Sequence, residues 1–204
     1  MLTDLQLAQI MRNASQRRRA LFLQPLNDAM DTHGITMPLR VAAFLAQLAH
    51  ESGELQFMQE LWGPTSAQKR YEPPCDLARR LGNTQPGDGR RFKGRGPIQI
   101  TGRANYQTFG DLMGLDLVGN PEQAATPDVA FAIAGLFWER KGLNELADAG
   151  NITEITRRIN GGQNGAADRE HFYAVAKLVL GASAPVQRAG GARAGAGASA
   201  KARA

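Results

Sequence analysis

The sequence predicts a mainly α-helical domain in which a short extended segment borders a groove. Three observations lead there. Apolar residues recur at helical spacing in segments that open on capping or proline signals. Between the third such segment and residue 102 the pattern changes to alternation and glycine. Finally, 43% hydrophobic and 21% charged residues over 204 positions supply a buried core, which excludes a wholly disordered chain.

Thr3 and Gln6 form a capping-box pattern ahead of Leu7, Ile10 and Met11, so a helix starts at the N-terminus. A second helix is expected over Gln16 to Thr32, stopping near Gly34, and a third from Pro38 through Val41, Phe44, Leu45 and Leu48. Leu55 to Trp62 alternates in a way that suits a short extended segment, and Asn83 to Gly96 reads as a long, basic, glycine-rich loop. Asn120-Pro121-Glu122 and Thr126-Pro127-Asp128 each resemble an N-cap followed by proline at the first helical position. The second opens an apolar helix over Asp128 to Lys141, expected to be the most buried element. Helices over Thr153 to Ile159 and Ala166 to Leu180 complete residues 1–184 as one domain. Pro185 to Ala204, rich in Ala and Gly, is expected to be disordered, either a solvated extension or a cationic contact to an anionic envelope surface.

Charge and cysteine usage narrow the function. The formal charge is +5, but the tail holds four of the 24 Lys and Arg and none of the 19 Asp and Glu. The body is therefore within one charge of neutral and lacks the dense basic face that nucleic-acid binding requires. The longest apolar run, Val129 to Trp138, is about half the ~20 residues of a spanning helix. The N-terminus has no secretory-signal pattern, so synthesis in the cytoplasm is expected. The single Cys75 forms no internal disulfide, and His33, His50 and His171 match no metal-ligand spacing. No cofactor is expected.

Glu51, in His50-Glu51-Ser52-Gly53, follows the apolar stripe of the third helix and precedes a natural helix stop. Its charge opposes the helix dipole there. One reading is a solvated last-turn carboxylate; the other is a general acid. Glu60 lies nine residues on, which on one unbroken helix is the opposite face and roughly 13 Å along the axis. The break at Ser52-Gly53 removes that constraint, so two carboxylates can confront one another across a groove. Glycoside hydrolysis with water attacking from the opposite face needs such a pair, roughly 6.5–9.5 Å apart. Glu54 competes for the second role but ranks as a surface residue. In Gly94-Arg95-Gly96-Pro97-Ile98-Gln99-Ile100-Thr101, Gln99 and Thr101 alternate with the two isoleucines, which puts two polar side chains on one face of a short strand. Asn105-Tyr106 and Ile159-Asn160-Gly161-Gly162 add amides, an aromatic ring and a glycine turn.

These segments, in this order, resemble family 19 glycoside hydrolases, which comprise plant-type chitinases and phage endolysins of the lysozyme superfamily. The resemblance runs over roughly residues 36 to 180. It implies an α+β lysozyme-like fold and an inverting glycoside hydrolase. It further implies Glu51 as general acid, Glu60 as general base across a connection far shorter than in plant enzymes, and Thr101 as the holder of the attacking water. Gln99, Asn105, Tyr106 and Asn160 fall on substrate-binding positions. Arg169 matches an arginine that supports the second carboxylate, while Arg95 braces the loop. Lacking disulfides and a signal, the chain looks like a phage or prophage endolysin, expected to be a monomer that cleaves peptidoglycan after release to the wall. Chitin or chito-oligosaccharide hydrolysis is the alternative substrate reading, and an inactive wall-binding module the alternative of another class.

Overall fold

Thr3 opens helix α1 (Asp4–Ile10) with both halves of the capping box made, its hydroxyl accepting from the Gln6 N–H and the Gln6 side chain accepting from the Thr3 N–H. The computed structural model describes residues 1–182; the basic tail expected over 185–204 lies outside them. Helix α2 (Gln16–Thr32) and the last helix, α11 (Ala166–Leu180), occupy the spans their periodicity predicts. Helix α3 (Pro38–Ser52) starts on its proline and stops at Gly53, whose φ of 56° is left-handed. Short helices α4 (Ser66–Lys69), α5 (Asp76–Arg80) and α6 (Asp88–Arg91) lead to α7 (Arg103–Met113). A 3-10 turn (Pro121–Ala125), α8 (Pro127–Arg140), α9 (Leu143–Asp148) and α10 (Ile152–Asn160) complete the set. Among the described residues no helix is long and apolar enough to cross a membrane.

Two apolar clusters organise these helices. The larger joins α1, α2, α3, α9, α10 and α11 to one face of α8, with Phe44 edge-on to Trp138 at 5.2 Å and Phe22 tilted on Phe131 at 5.7 Å. The smaller gathers Phe92, Ile100, Tyr106, Phe109, Leu117, Ala124 and Ile133 around α7 and the other face of α8. Helix α3 is the most buried element, not α8. Every residue from Ala42 to Ala49 is buried, because α11 and α9 pack along α3 and its four alanines admit close neighbours. Val129, Ala132, Leu136 and Phe137 of α8 stay partly exposed.

The extended elements are smaller than the alternation suggests. The chain leaves α3 through left-handed Gly53, Glu54 and Leu55, then runs antiparallel to the 94–96 stretch. The Gly96 N–H donates to the Met58 carbonyl at 2.9 Å and the Glu60 N–H to the Gly94 carbonyl at 2.8 Å. That reversal breaks the alternation: Leu55 is buried, whereas Phe57 and Leu61 are 56% and 82% exposed. Likewise, residues 98–101 form no strand. Arg95 and Ile100 exchange both backbone hydrogen bonds, at 3.1 and 3.0 Å, which closes a tight hairpin with Gln99 at φ 52°. Residues 83–96 also contain α6. Asp88 there accepts the Thr84 and Gln85 N–H groups and pairs through both oxygens with Arg103. Burial works to raise the Asp88 pKa, but the Arg103 hydrogen bond and the two backbone donors outweigh it and hold the carboxyl below the ordinary value of 3.8.

Candidate active site

The end of α3 delivers Glu51 to a groove of about 620 Å³ where the two apolar clusters meet. The hairpin contributes Gln99 and Thr101, α7 contributes Asn105, and the end of α10 contributes Asn160. Five of the sequence-predicted site residues therefore share one cavity. Glu51 Oε1 accepts a hydrogen bond from Arg169 Nη2, and Arg169 Nη1 donates to Gln47 Oε1. Gln47 Nε2 reaches Thr156 Oγ1 on α10 at 3.3 Å. A buried polar chain thus runs from α10 through α3 and α11 to the carboxylate. Beside it, His50 Nδ1 lies 2.7 Å from Asp168 Oδ2, tying the end of α3 to the start of α11.

Glu60 is not among the residues that line this groove, and it is held from two sides. Its Oε2 accepts the Gly94 N–H at 2.9 Å and its Oε1 accepts Gln68 Nε2 at 2.9 Å. Gly94 also borders the hairpin side chains: a Cβ there would come within 2.5 Å of Gln99 Oε1 and 3.3 Å of Thr101 Oγ1. Gly94 therefore stands between the Glu60 carboxylate and the side chains of Gln99 and Thr101. The Thr101 hydroxyl donates to the Gln99 carbonyl at 3.0 Å, which leaves its lone pairs available to accept a hydrogen bond from water. Gln99 spends its amide nitrogen on the Gly96 and Phe57 carbonyls, Asn105 Nδ2 donates to the Thr101 carbonyl, and Asn160 Nδ2 donates to the Asn164 carbonyl. Gln99 thus commits both of its side-chain donors to shaping the groove, Asn105 and Asn160 one each, and the amide oxygens of all three remain for ligand.

Three expectations need correction. Tyr106 is completely buried rather than substrate-facing; its hydroxyl accepts from Arg95 Nη1 at 2.7 Å and donates to the Lys93 carbonyl at 2.7 Å. Burial pushes its phenol up to about 12, with Arg95 opposing. Arg169 is 1% exposed, too deep to touch a sugar, and its partner is the first carboxylate, Glu51, not the second. Glu54 is not a surface residue: it is 9% exposed, and its two oxygens take the backbone and side-chain N–H groups of Asn13, which pins the α3 exit to the N-terminal helices. Arg95 braces the hairpin as expected, donating to Arg91 O, Tyr106 Oη and Glu122 Oε1. Gln47 was missed, although an amide within the apolar run Val41 to Ala49 is a visible anomaly. Arg140 and Lys141, which also line the groove, carried no local signal. Among the described residues no three His, Cys, Asp or Glu side chains converge as a metal-ligand set.

The comparison with known proteins agrees with this fold. A family model described as class I chitinase matches residues 28–184. A Haemophilus influenzae protein named as containing a glycosyl hydrolase family 19 domain is 35% identical over 175 residues, covering 74% of this chain and 84% of that protein. An endochitinase of Arabidopsis thaliana is 38% identical over 131 residues, covering 64% of this chain and 42% of that protein, so the chain spans less than half of the plant relative. The crystal structure of chitinase C from Streptomyces griseus superposes with a TM-score of 0.70 at 25% identity, over 89% of this chain and 77% of the other. With the fold, the motif order and a match over most of its length in agreement, this chain belongs to glycoside hydrolase family 19 and is a glycoside hydrolase of mainly α, lysozyme-like architecture.

Proposed function

We propose that the chain is an endolysin that hydrolyses β-1,4 glycosidic bonds of bacterial peptidoglycan with inversion at the anomeric carbon. The observation that carries the reading is Glu51, the one carboxylate that lines the groove among the described residues, oriented through one oxygen by the buried Arg169. Its Oε2, without a partner among the described residues, protonates the leaving glycosidic oxygen as the C1–O bond breaks. Water held by Thr101 attacks C1 from the opposite face and gives its proton to Glu60, whose carboxylate is oriented by Gly94 and Gln68. Support for a peptide-bearing glycan comes from the short connection between Glu51 and Glu60. It folds back through left-handed Gly53, Glu54 and Leu55, so that eight residues suffice to join the two carboxylates. In this reading the enzyme acts as a monomer on the wall after release from the cytoplasm. Chitin keeps a specific claim, because it shares N-acetylated β-1,4-linked sugars and several relatives are named chitinases.

Digestion of purified sacculi and of chitohexaose, followed by mass spectrometry and NMR of the new anomer, tests both. New reducing ends of α configuration in the sacculi are expected, and Glu51→Gln and Glu60→Gln each lower the rate by at least about 100-fold. Peptide-bond or amide products defeat the glycosidase reading; cleavage of chitohexaose alone replaces the endolysin with a chitinase.

A further inference from the structure

Arg140 ends α8 and Lys141 follows as its cap, both are exposed, and both line the groove that Glu51 enters. Neighbouring charges are already paired: Arg157 and Arg158 grip Glu154, His33 contacts Glu139, and Arg169 takes Glu51. No ion pair among the described residues includes Arg140 or Lys141. Lys141 Nζ lies 5.6 Å from the centroid of Phe137, another groove residue, which keeps the ammonium along the wall. With Glu51 neutralised by Arg169, the cavity carries two positive charges that the hydrolytic step does not use. Completing the helix dipole explains cations at the end of α8, but not their place on the wall of a substrate groove.

We propose that Arg140 and Lys141 form an anion-recognising subsite that selects glycans bearing carboxylates close to the scissile bond. The inference rests on the reading of this groove as glycan-cleaving, and it specifies the substrate class. A chitin chain is neutral and offers these cations only hydroxyl and acetamide oxygens, with no opposite charge. A peptidoglycan strand carries a lactyl-linked peptide with free carboxylates on alternate sugars, and charge-assisted contacts to them discriminate between two chains of the same backbone.

The test measures binding by the full-length Glu51→Gln protein to carboxymethyl chitin and to glycol chitin, two soluble polymers that differ in charge. The anionic polymer binds roughly tenfold more tightly at low salt, the sum of two partly screened contacts, and the preference shrinks as ionic strength rises. Adding Arg140→Gln and Lys141→Gln reduces the ratio to about twofold or less, each single change accounts for part of it, and Arg140→Lys with Lys141→Arg restores it. Equal binding of the two polymers, or a preference that survives the double substitution, overturns the proposal. Failure of the peptidoglycan reading is seen separately, as absence of new reducing ends in sacculi treated with the wild-type enzyme.

Discussion

Replacing Arg169 with methionine isolates what the buried guanidinium does. Methionine keeps much of the side-chain volume, so little cavity is opened, but Glu51 Oε1 and Gln47 Oε1 each lose a donor. Removing one member of a buried ion pair costs about 3–5 kcal/mol. The Arg169 side chain is 1% exposed, but that of Glu51 is 26% exposed, so water recovers part of the loss and about 2–3 kcal/mol remains. For a domain of this size the melting temperature falls by roughly 5–10 °C. Glu51→Gln keeps an acceptor for Arg169 but leaves the buried guanidinium without a counter-charge, so it too costs about 2–3 kcal/mol. Because no carboxylate is then left unpaired, the double variant Glu51→Gln/Arg169→Met is more stable than Arg169→Met alone. Thermal and denaturant unfolding at pH 7 measure all three, with the initial rate on sacculi measured in parallel and expected to collapse for Arg169→Met. An Arg169→Met protein within about 0.5 kcal/mol of wild type, or a double variant no more stable than it, refutes the role assigned to the pair.

Tyr106 predicts an alkaline transition. Its folded pKa of about 12 stands above the ordinary 10.0, so stability is intact below pH 10 and falls as pH rises from 10 to 12 while only the unfolded chain releases its proton. The two-unit gap amounts to about 2.7 kcal/mol. Tyr71 and Tyr173 are also raised by burial, so the quantity to measure is the difference in slope between wild type and Tyr106→Phe; parallel curves remove Tyr106 from the account. At Gly102, φ is +91° and a Cβ would lie 2.5 Å from the backbone oxygen of Leu81, so Gly102→Ala loses at least about 2 kcal/mol in denaturant melts. At Gly94 the obstacle is the movable end of Gln99, so Gly94→Ala keeps stability within about 1 kcal/mol but displaces that amide and lowers the hydrolytic rate roughly tenfold or more. Equal stability losses at the two glycines contradict this distinction.

The elements that the sequence announces are those whose signals are local. Thr3 and Gln6 satisfy each other three residues apart, Pro38 and Gly53 bracket α3, and the spacing in α2 and α11 spans enough turns to show its period. Helices α5 and α6 were not legible because one turn contains too few residues for a period to appear, and the Thr65 and Gln68 capping box that opens the equally short α4 went unread. The hairpin was read as a strand because alternation at Ile98 to Thr101 says nothing of the left-handed φ at Gln99 that closes it. The Asn120 to Glu122 signal marked a real start, yet the turn there is 3-10.

Residue types and their order were enough to place a carboxylate at the end of α3, a second one nine residues on, and the family to which that pattern belongs. Packing alone decided that Glu54 turns in to Asn13, that Tyr106 is buried, and that Arg169 reaches Glu51 from 118 positions away. Caps and periodicity act within a turn or two of chain, so they can be read along it. A buried guanidinium finds its carboxylate only when three helices have already come together, and no local pattern records that meeting.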